Sequence, residues 1–415
     1  MTLDRAAPQA ARRGTRPRNR RAQLIAAATD LLFRVGYDRI GMGDLADAVA
    51  IGPSALYRHF TGKQDMLRAV IAEGITPIRD LITGLDLRHR PTALPRLAAL
   101  ALDHRELGVL WQREARHMNP DDHAALRTEL RDFGHILAER LRAARPELSA
   151  ATADLLAWST IAVLTSTSFH RLELPRPDYD HLLAHLVELV VTTPAPDTPP
   201  AEDSAPRSTE VAGGPGLVPR SRREALLAQA IRMFARQGYT GVGIEDIGAA
   251  VGITGASVYN HFSNKSDLLV AALRRGTAVL FTDLTHIYST TGDPAEALNR
   301  LVRSYLRFTH RHHDLVDLMI TEVGNLPESE RHDTRHIQHD YVSEWVHLLT
   351  SAQPDLDPTT ARIRVHAALS VANDAARTPH LRGDPASALP LHTVCTRVLL
   401  GSPTDNAIRL PSCAS

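Results

Sequence analysis

Two stretches of this chain, half its length apart, carry one pattern. Gly41 to Phe60 reads GMGDLADAVAIGPSALYRHF, and Gly243 to Phe262 reads GIEDIGAAVGITGASVYNHF. They align without a gap at a constant offset of roughly 202 residues. The match runs from Arg20/Arg222 to Leu67/Leu269, with about 19 of 48 positions identical. A repeat of this length means two copies of one structural unit, so any fold for the chain must contain that unit twice.

Each copy reads as helix, turn, helix. Leu45 and Val49 lie four apart on the first helix, and Leu56 and Phe60 four apart on the second, with Ile51 in the turn. These five side chains suffice to close a small core between two crossed helices. Ile247, Val251, Ile253, Val258 and Phe262 repeat the set. Ala46 and Gly248 are small, as a close crossing requires. This is the helix-turn-helix plan, whose second helix enters the major groove of DNA.

The helix starts agree with it. Gly41 and Gly243 serve as N-caps, followed by Asp44 and Asp246 in the first turn, where the helix dipole favours acids. Gly52-Pro53 opens the second helix of copy one; Thr254, a stronger cap, opens that of copy two. Lys63 and Lys265 break the electrostatic rule, since each falls at the expected start of the next helix, where a cation opposes the dipole. Either a phosphate partner or plain solvation accounts for such a lysine.

Gly36-Tyr37, Asp44-Leu45-Ala46, Leu56-Tyr57-Arg58-His59-Phe60 and Lys63-Gln64-Asp65-Met66-Leu67 resemble the TetR/AcrR family of bacterial transcriptional regulators. Gly238-Tyr239, Asp246-Ile247, Val258-Tyr259-Asn260-His261-Phe262 and Lys265-Ser266-Asp267-Leu268-Leu269 resemble it again. The resemblance covers the DNA-binding third of each half. It implies that Tyr57, His59 and Lys63, and Tyr259, His261 and Lys265, face the DNA backbone. It likewise implies that Pro53, Ser54, Ala55 and Arg58, and Gly255, Ala256, Ser257 and Asn260, face the bases. Gly41 and Gly243 stand where many members carry a hydroxyl that meets phosphate, so one contact is missing from both copies. Copy one also lacks a hydroxyl at Gly52 and at Ala55.

The chain has 415 residues, room for two ordinary domains, and a formal net charge of zero. The charge is unevenly spread. Arg5, Arg12, Arg13, Arg16, Arg18, Arg20 and Arg21 crowd the first 21 residues against one acid, Asp4. Such an arm either follows a phosphate backbone or is a solubilising tail. Cys395 and Cys413, the only cysteines, are no disulfide framework, and a reducing cytoplasm fits them. The N-terminus does not read as a signal peptide, and no apolar run reaches the length of a membrane span.

The expected architecture is all-α: two tandem TetR-like units, each a helix-turn-helix head on a helical ligand-binding and dimerisation body. A basic arm takes 1–17, the first head 18–78 (helix-turn-helix 41–60) and the first body 79–192. A Pro-rich linker takes 193–219, the second head 220–280 (helix-turn-helix 243–262), the second body 281–401 and a tail 402–415. The first helix is expected at 18–36. A helix from Lys63 toward Glu73 follows the head, and three or so helices fill 77–145. In such proteins the last two helices of each subunit pair across a two-fold axis. Here the resemblance implies that helices 150–171 and 178–192 pack against 358–377 and 386–400 within one chain, as a pseudo-dimer, unless two chains dimerise.

The resemblance further implies a small-molecule effector in the body, lipid-like or acyl-CoA-like, and an operator of double-stranded DNA. Trp111 and Glu114 in one body, and Glu322 in the other, sit near proline breaks. They either line a cavity or make helix-end salt bridges. His310, His312, His313 and Asp314, and His332, His336 and His339, lack a closed metal spacing. Gly241-Val242-Gly243 is no dinucleotide loop, since no strand precedes it. No metal, cofactor or catalytic residue is expected, and no enzyme activity. The favoured function is a ligand-released repressor with two unlike recognition helices. The alternative is a helical scaffold in which only the second head still binds DNA.

Overall fold

The computed structural model describes residues 20–195, 219–382 and 387–401. The arm at 1–17, most of the linker, the tail at 402–415 and Cys413 lie outside the described residues. Among the described residues every regular element is a helix. The first half runs α1 (Arg20–Arg34), α2 (Met42–Ala48), α3 (Pro53–Leu56), α4 (Lys63–Thr83), α5 (Arg90–Asp103), α6 (Leu107–Val109), α7 (Pro120–Ala144), α8 (Ala150–Ser166) and α9 (Asp178–Val191). The second runs α10 (Arg222–Gln237), α11 (Ile244–Ala250), α12 (Gly255–Val258), α13 (Lys265–Thr290), α14 (Pro294–Arg311), α15 (His313–Thr321), α16 (Glu328–Ala352), α17 (Pro358–Arg377), α18 (Pro379–Arg382) and α19 (Ala388–Leu400). The chain divides into two compact units. One holds residues up to Leu85 with Ala99–Ile136; the other holds Asp86–Ala98 and the residues from Leu137 on.

In the first unit α1 buries Leu24, Ile25, Ala28 and Leu32 against Leu45, Ala46, Leu56 and Phe60. In the second, Leu226, Leu227, Ala230 and Phe234 of α10 meet Ile247, Val258 and Phe262. Gly248 is small by necessity: a Cβ there would come within 3.0 Å of the Ile253 carbonyl and of Val258. The helix expected from Lys63 toward Glu73 is longer. It runs 21 residues through Pro77, because Met66, Leu67, Val70, Ile71, Ile75 and Ile82 keep one face buried throughout.

The turn between the two helices needs a left-handed residue. Gly252 takes it at φ 73°, and the matching residue of copy one is Ala50, at φ 52°. Alanine in this region is strained by roughly 1–2 kcal/mol.

Helices α8 and α17 pack along each other, and α9 packs against α19. The contact is close because both central helices bury small residues: Ala153, Ala157, Ser159 and Ala162 on α8, and Ala361, Ala367, Ala368, Ala372 and Ala375 on α17. Ser149 and Asp357 cap their starts by accepting the N–H of Thr152 and of Thr360. Cations cover the carbonyl end of α9. Arg145 donates to Val191 O and Thr193 O at 2.7 and 2.8 Å, and Arg397 of α19 donates to Leu189 O at 3.1 Å. At the edge, His380 Nε2 meets Asp154 Oδ2 at 2.8 Å, and the His170 and His366 rings lie 4.8 Å apart.

Two tests follow from these geometries. Ala50→Gly should stabilise the first head by about 0.5–1 kcal/mol, and Gly252→Ala, which meets no atom within 4 Å, should cost the second about 1 kcal/mol, both read by urea unfolding. Burial, with Arg362 and His339 near, pushes the pKa of His366 down to about 4. The unfolded chain therefore binds a proton below pH ~6.5 that the folded chain refuses until about 4. Stability should fall across that window by up to about 3 kcal/mol, and His366→Asn should flatten the slope.

Candidate nucleic-acid interface

The recognition helices α3 and α12 are four residues each, and the chain continues beyond them as a turn. Leu56 and Phe60 point inward at 1% and 2% exposure, and Val258 and Phe262 at 0% and 4%. The other face is left to solvent. Ser54, Arg58 and His59 are exposed in copy one, as are Ala256, Asn260 and His261 in copy two. Tyr57 and Tyr259 are 55% and 52% exposed, which is unusual for large rings and matched between the copies. Ala55 is half-buried, as is Ser257; Pro53 opens α3.

Several expected contact groups are partly engaged inside the head. The Gly41 N–H donates to Asp44 at 2.7 Å and the Gly243 N–H to Asp246 at 2.9 Å. Thr254 caps α12, its hydroxyl accepting from the Ser257 N–H at 3.3 Å. Gly255 is constrained by packing, because a Cβ there would lie 3.0 Å from Glu245 Cγ on α11.

Each lysine at a helix start has a partner inside its own head. Lys63 Nζ sits 4.0 Å from the centre of the Tyr37 ring, and Lys265 Nζ 4.3 Å from that of Tyr239. Lys265 also donates to Tyr239 O at 2.9 Å and Val242 O at 3.0 Å. Burial lowers both lysine pKa values, and neighbouring acids, Asp38 and Glu114 for Lys63 and Glu322 for Lys265, oppose the shift. The ammonium ties the preceding turn to the helix that leaves the head.

Arg21 and Arg223 are likewise anchored. Their guanidinium groups lie over Phe60 at 5.7 Å and Phe262 at 4.2 Å. Both are identical in the repeat, and that identity was the available signal.

Trp111, Glu114 and Glu322, expected either to line a cavity or to make helix-end salt bridges, lie at the junction of head and body. Trp111 packs against the first unit's core, 6.2 Å from the His123 ring. Glu114 is 3% exposed, and its carboxylate accepts the Tyr37 N–H at 2.8 Å and pairs with Arg113. Glu322 is 1% exposed and accepts from Asn325 at 2.7 Å and Thr321 at 3.2 Å. Solvent-exposed salt bridges would not need such burial. A cleft of about 480 Å³ in the first unit is lined by Tyr37, Lys63, Asp65, Arg68, Asn119 and Asp122 among others. Among the described residues no group of histidine, cysteine and acidic side chains is arranged to hold a metal, and no helix is long and apolar enough to cross a membrane.

Residues 24–70 and 226–272 each match the model of the tetR family of bacterial regulatory proteins, and residues 291–377 match that of a tetracyclin repressor-like C-terminal domain. Over 148 residues the chain is 32% identical to the HTH-type transcriptional repressor KstR2 of Mycolicibacterium smegmatis, covering 34% of this chain and 71% of that protein. The chain belongs to the TetR family. It is also 30% identical over 146 residues to KstR2 of Mycobacterium tuberculosis, covering 33% of this chain and 72% of the relative. The solved structure of that ketosteroid transcriptional regulator aligns with 44% of this chain and 95% of its own, at 25% identity and a TM-score of 0.40. AibR, solved with isovaleryl coenzyme A and operator DNA, aligns with 44% of this chain and 99% of its own, at 20% identity and a TM-score of 0.39. As a TetR-family member the chain is a DNA-binding transcriptional regulator with two heads.

The internal role of the lysine has a direct check. Lys265→Met should lower stability by about 1–3 kcal/mol in thermal unfolding without DNA, because two carbonyls lose a charged donor. A solvated surface lysine would cost less than about 0.5 kcal/mol.

Proposed function

We propose that this chain is a repressor released by a small-molecule effector, and that its two halves pair as an intramolecular pseudo-dimer on an operator with unequal half-sites. The observation that carries the reading is the contrast between the two heads. Their inner faces are alike, from Leu45/Ile247 to Phe60/Phe262, while their outer faces differ: Arg58 stands against Asn260 and Ser54 against Ala256. A scaffold that presents different side chains to a regular lattice of base edges reads different sequences. Arginine favours guanine and asparagine favours adenine in the major groove.

The contacts of α8 with α17 and of α9 with α19 support pairing within the chain, since these are the helices such regulators use between subunits. The KstR2 relatives are named as repressors, which supports the sign of regulation. Tyr57, His59 and Lys63, with Tyr259, His261 and Lys265, would follow the backbone. The base-facing set would be Pro53, Ser54, Ala55 and Arg58, with Gly255, Ala256, Ser257 and Asn260. Gly41, Gly243 and Thr254 would approach phosphate through the backbone and a hydroxyl. The effector would bind in a body, shift α4 or α13, and change how the heads meet successive groove faces about 34 Å apart. A lipid-like or acyl-CoA-like molecule is the class to screen. Such a regulator works in the cytoplasm and needs no cofactor. Scaffolding by a single active head finds no support in the first head, whose core residues are as fully buried as those of the second.

Footprinting the purified chain on DNA upstream of its own coding region, with the mass of the complex measured, tests the reading. One chain should protect two adjacent, unlike half-sites, and Arg58→Ala should relax base preference at one of them by about 1–3 kcal/mol. Two chains on a palindrome would refute intramolecular pairing.

A further inference from the structure

We infer that Glu114 is a positioning residue of the first head, coupling its body to the turn that opens its helix-turn-helix. The inference rests on the reading that these heads bind DNA and that the bodies respond to an effector, and it names the route between them.

In the first unit the segment after α6 is wound as a π turn, Leu110–Glu114, followed by a 3-10 turn, Ala115–His117. Single π turns in otherwise α-helical stretches gather at functional sites. This one ends on Glu114. The carboxylate accepts the backbone N–H of Tyr37 at 2.8 Å, the first residue past the glycine that ends the α1 segment. That glycine, Gly36, has φ +92°, and a Cβ there would lie 3.6 Å from Glu114 Oε1. Arg113 pairs with the same carboxylate and donates to Phe33 O, in the last turn of α1, at 3.3 Å. The Tyr37 ring stacks on His117 at 4.6 Å and lies under Lys63 of α4. One short segment of the body thus holds the end of α1, the turn into α2 and, through the ring, the start of α4.

The second unit also buries a carboxylate where α15 ends, with partners of its own. Glu322 is the C-cap of α15, where the helix dipole disfavours an acid, and it is 1% exposed. Burial and Asp267 raise the Tyr239 pKa and Glu322 adds to the rise, while at Lys265 burial lowers the pKa and Glu322 opposes the fall. Gly238 has φ +74°, as Gly36 has +92°. A buried carboxylate costs several kcal/mol of desolvation unless it is fully paired. A helix end alone gives no reason to bury one, in either copy.

The opposite side of each segment is held by a second repeated glycine. A Cβ on Gly74 of α4 would meet Leu107 Cδ2 at 2.4 Å, and one on Gly276 of α13 would meet Met319 Sδ at 3.2 Å. The body segment is therefore pinned between the head-leaving helix and the α1–α2 turn. It cannot shift along one without withdrawing the acceptor from the other, and an unpaired buried N–H is the consequence. Displacement of this segment in the first unit by an effector would release Tyr37 and loosen the first helix of the head.

The test uses the full chain and the DNA fragment protected by the parent. Glu114→Leu keeps the volume but removes acceptor and charge; it should weaken protection at the half-site read by the first head at least tenfold and leave the other half-site protected. Glu114→Gln still offers an oxygen to the Tyr37 N–H and should bind within about threefold of the parent. Equal affinity of parent and Glu114→Leu at both half-sites would overturn the inference, since a purely space-filling residue tolerates leucine. Amide hydrogen exchange on the DNA-free parent guards against a variant that does not fold. The Tyr37 N–H should exchange as slowly as core amides of α4, and exchange at the rate of an open loop would also overturn it. A parent that protects no DNA would instead defeat the proposed function, while the exchange experiment would still decide whether the carboxylate holds the turn.

Discussion

A four-residue helix does not stand by itself in water, because nucleating a helical turn costs more than one or two backbone hydrogen bonds return. Everything this protein offers to DNA rests on two such helices, α3 and α12. Their conformation is set from behind, by Leu56 and Phe60 in one head and Val258 and Phe262 in the other, each closed into a core with the preceding helix and the long helix that follows. The exposed residues are then free to differ, since none of them holds the scaffold together. That separation of inner and outer faces lets one chain carry two heads of one shape and unlike chemistry.

The same dependence explains why charged groups lie inside the heads. Lys63 and Lys265 cover a tyrosine ring at the turn between the first two helices, and Arg21 and Arg223 cover the phenylalanine that ends the recognition segment. These contacts brace an element too short to brace itself. Glu114 adds a brace that originates in the body, so the stiffness of the first head is not a property of the head alone.

The second unit shows what joins the two halves of the repeat. Small residues on α8 and α17 allow a close approach over several turns, and the carbonyl end of α9 is covered by Arg145, just past α7, and by Arg397 of α19. Burial of His366 at this contact pushes its pKa down to about 4, so acid works against the packed form.

The amino-acid sequence by itself determined the all-helical class, the two heads and the inner and outer residues of each recognition segment. All of these follow from local periodicity and from a gapless repeat in which two independent copies say the same thing. It also placed most helix bounds in the bodies close to where they fall. The tertiary structure alone decided where the charges go. Lys63 and Lys265 look in sequence like cations awaiting phosphate, and only the fold brings a tyrosine ring and, for Lys265, two carbonyls within reach. Glu114 and Glu322 read equally as cavity wall or surface salt bridge, because the backbone N–H that Glu114 serves lies 77 residues away. The Gly74 and Gly276 crossings went unread because the comparison of the copies stopped at Leu67 and Leu269, short of both. Periodicity reports which face of a helix is buried; it carries no information about which distant polar group that burial will have to satisfy.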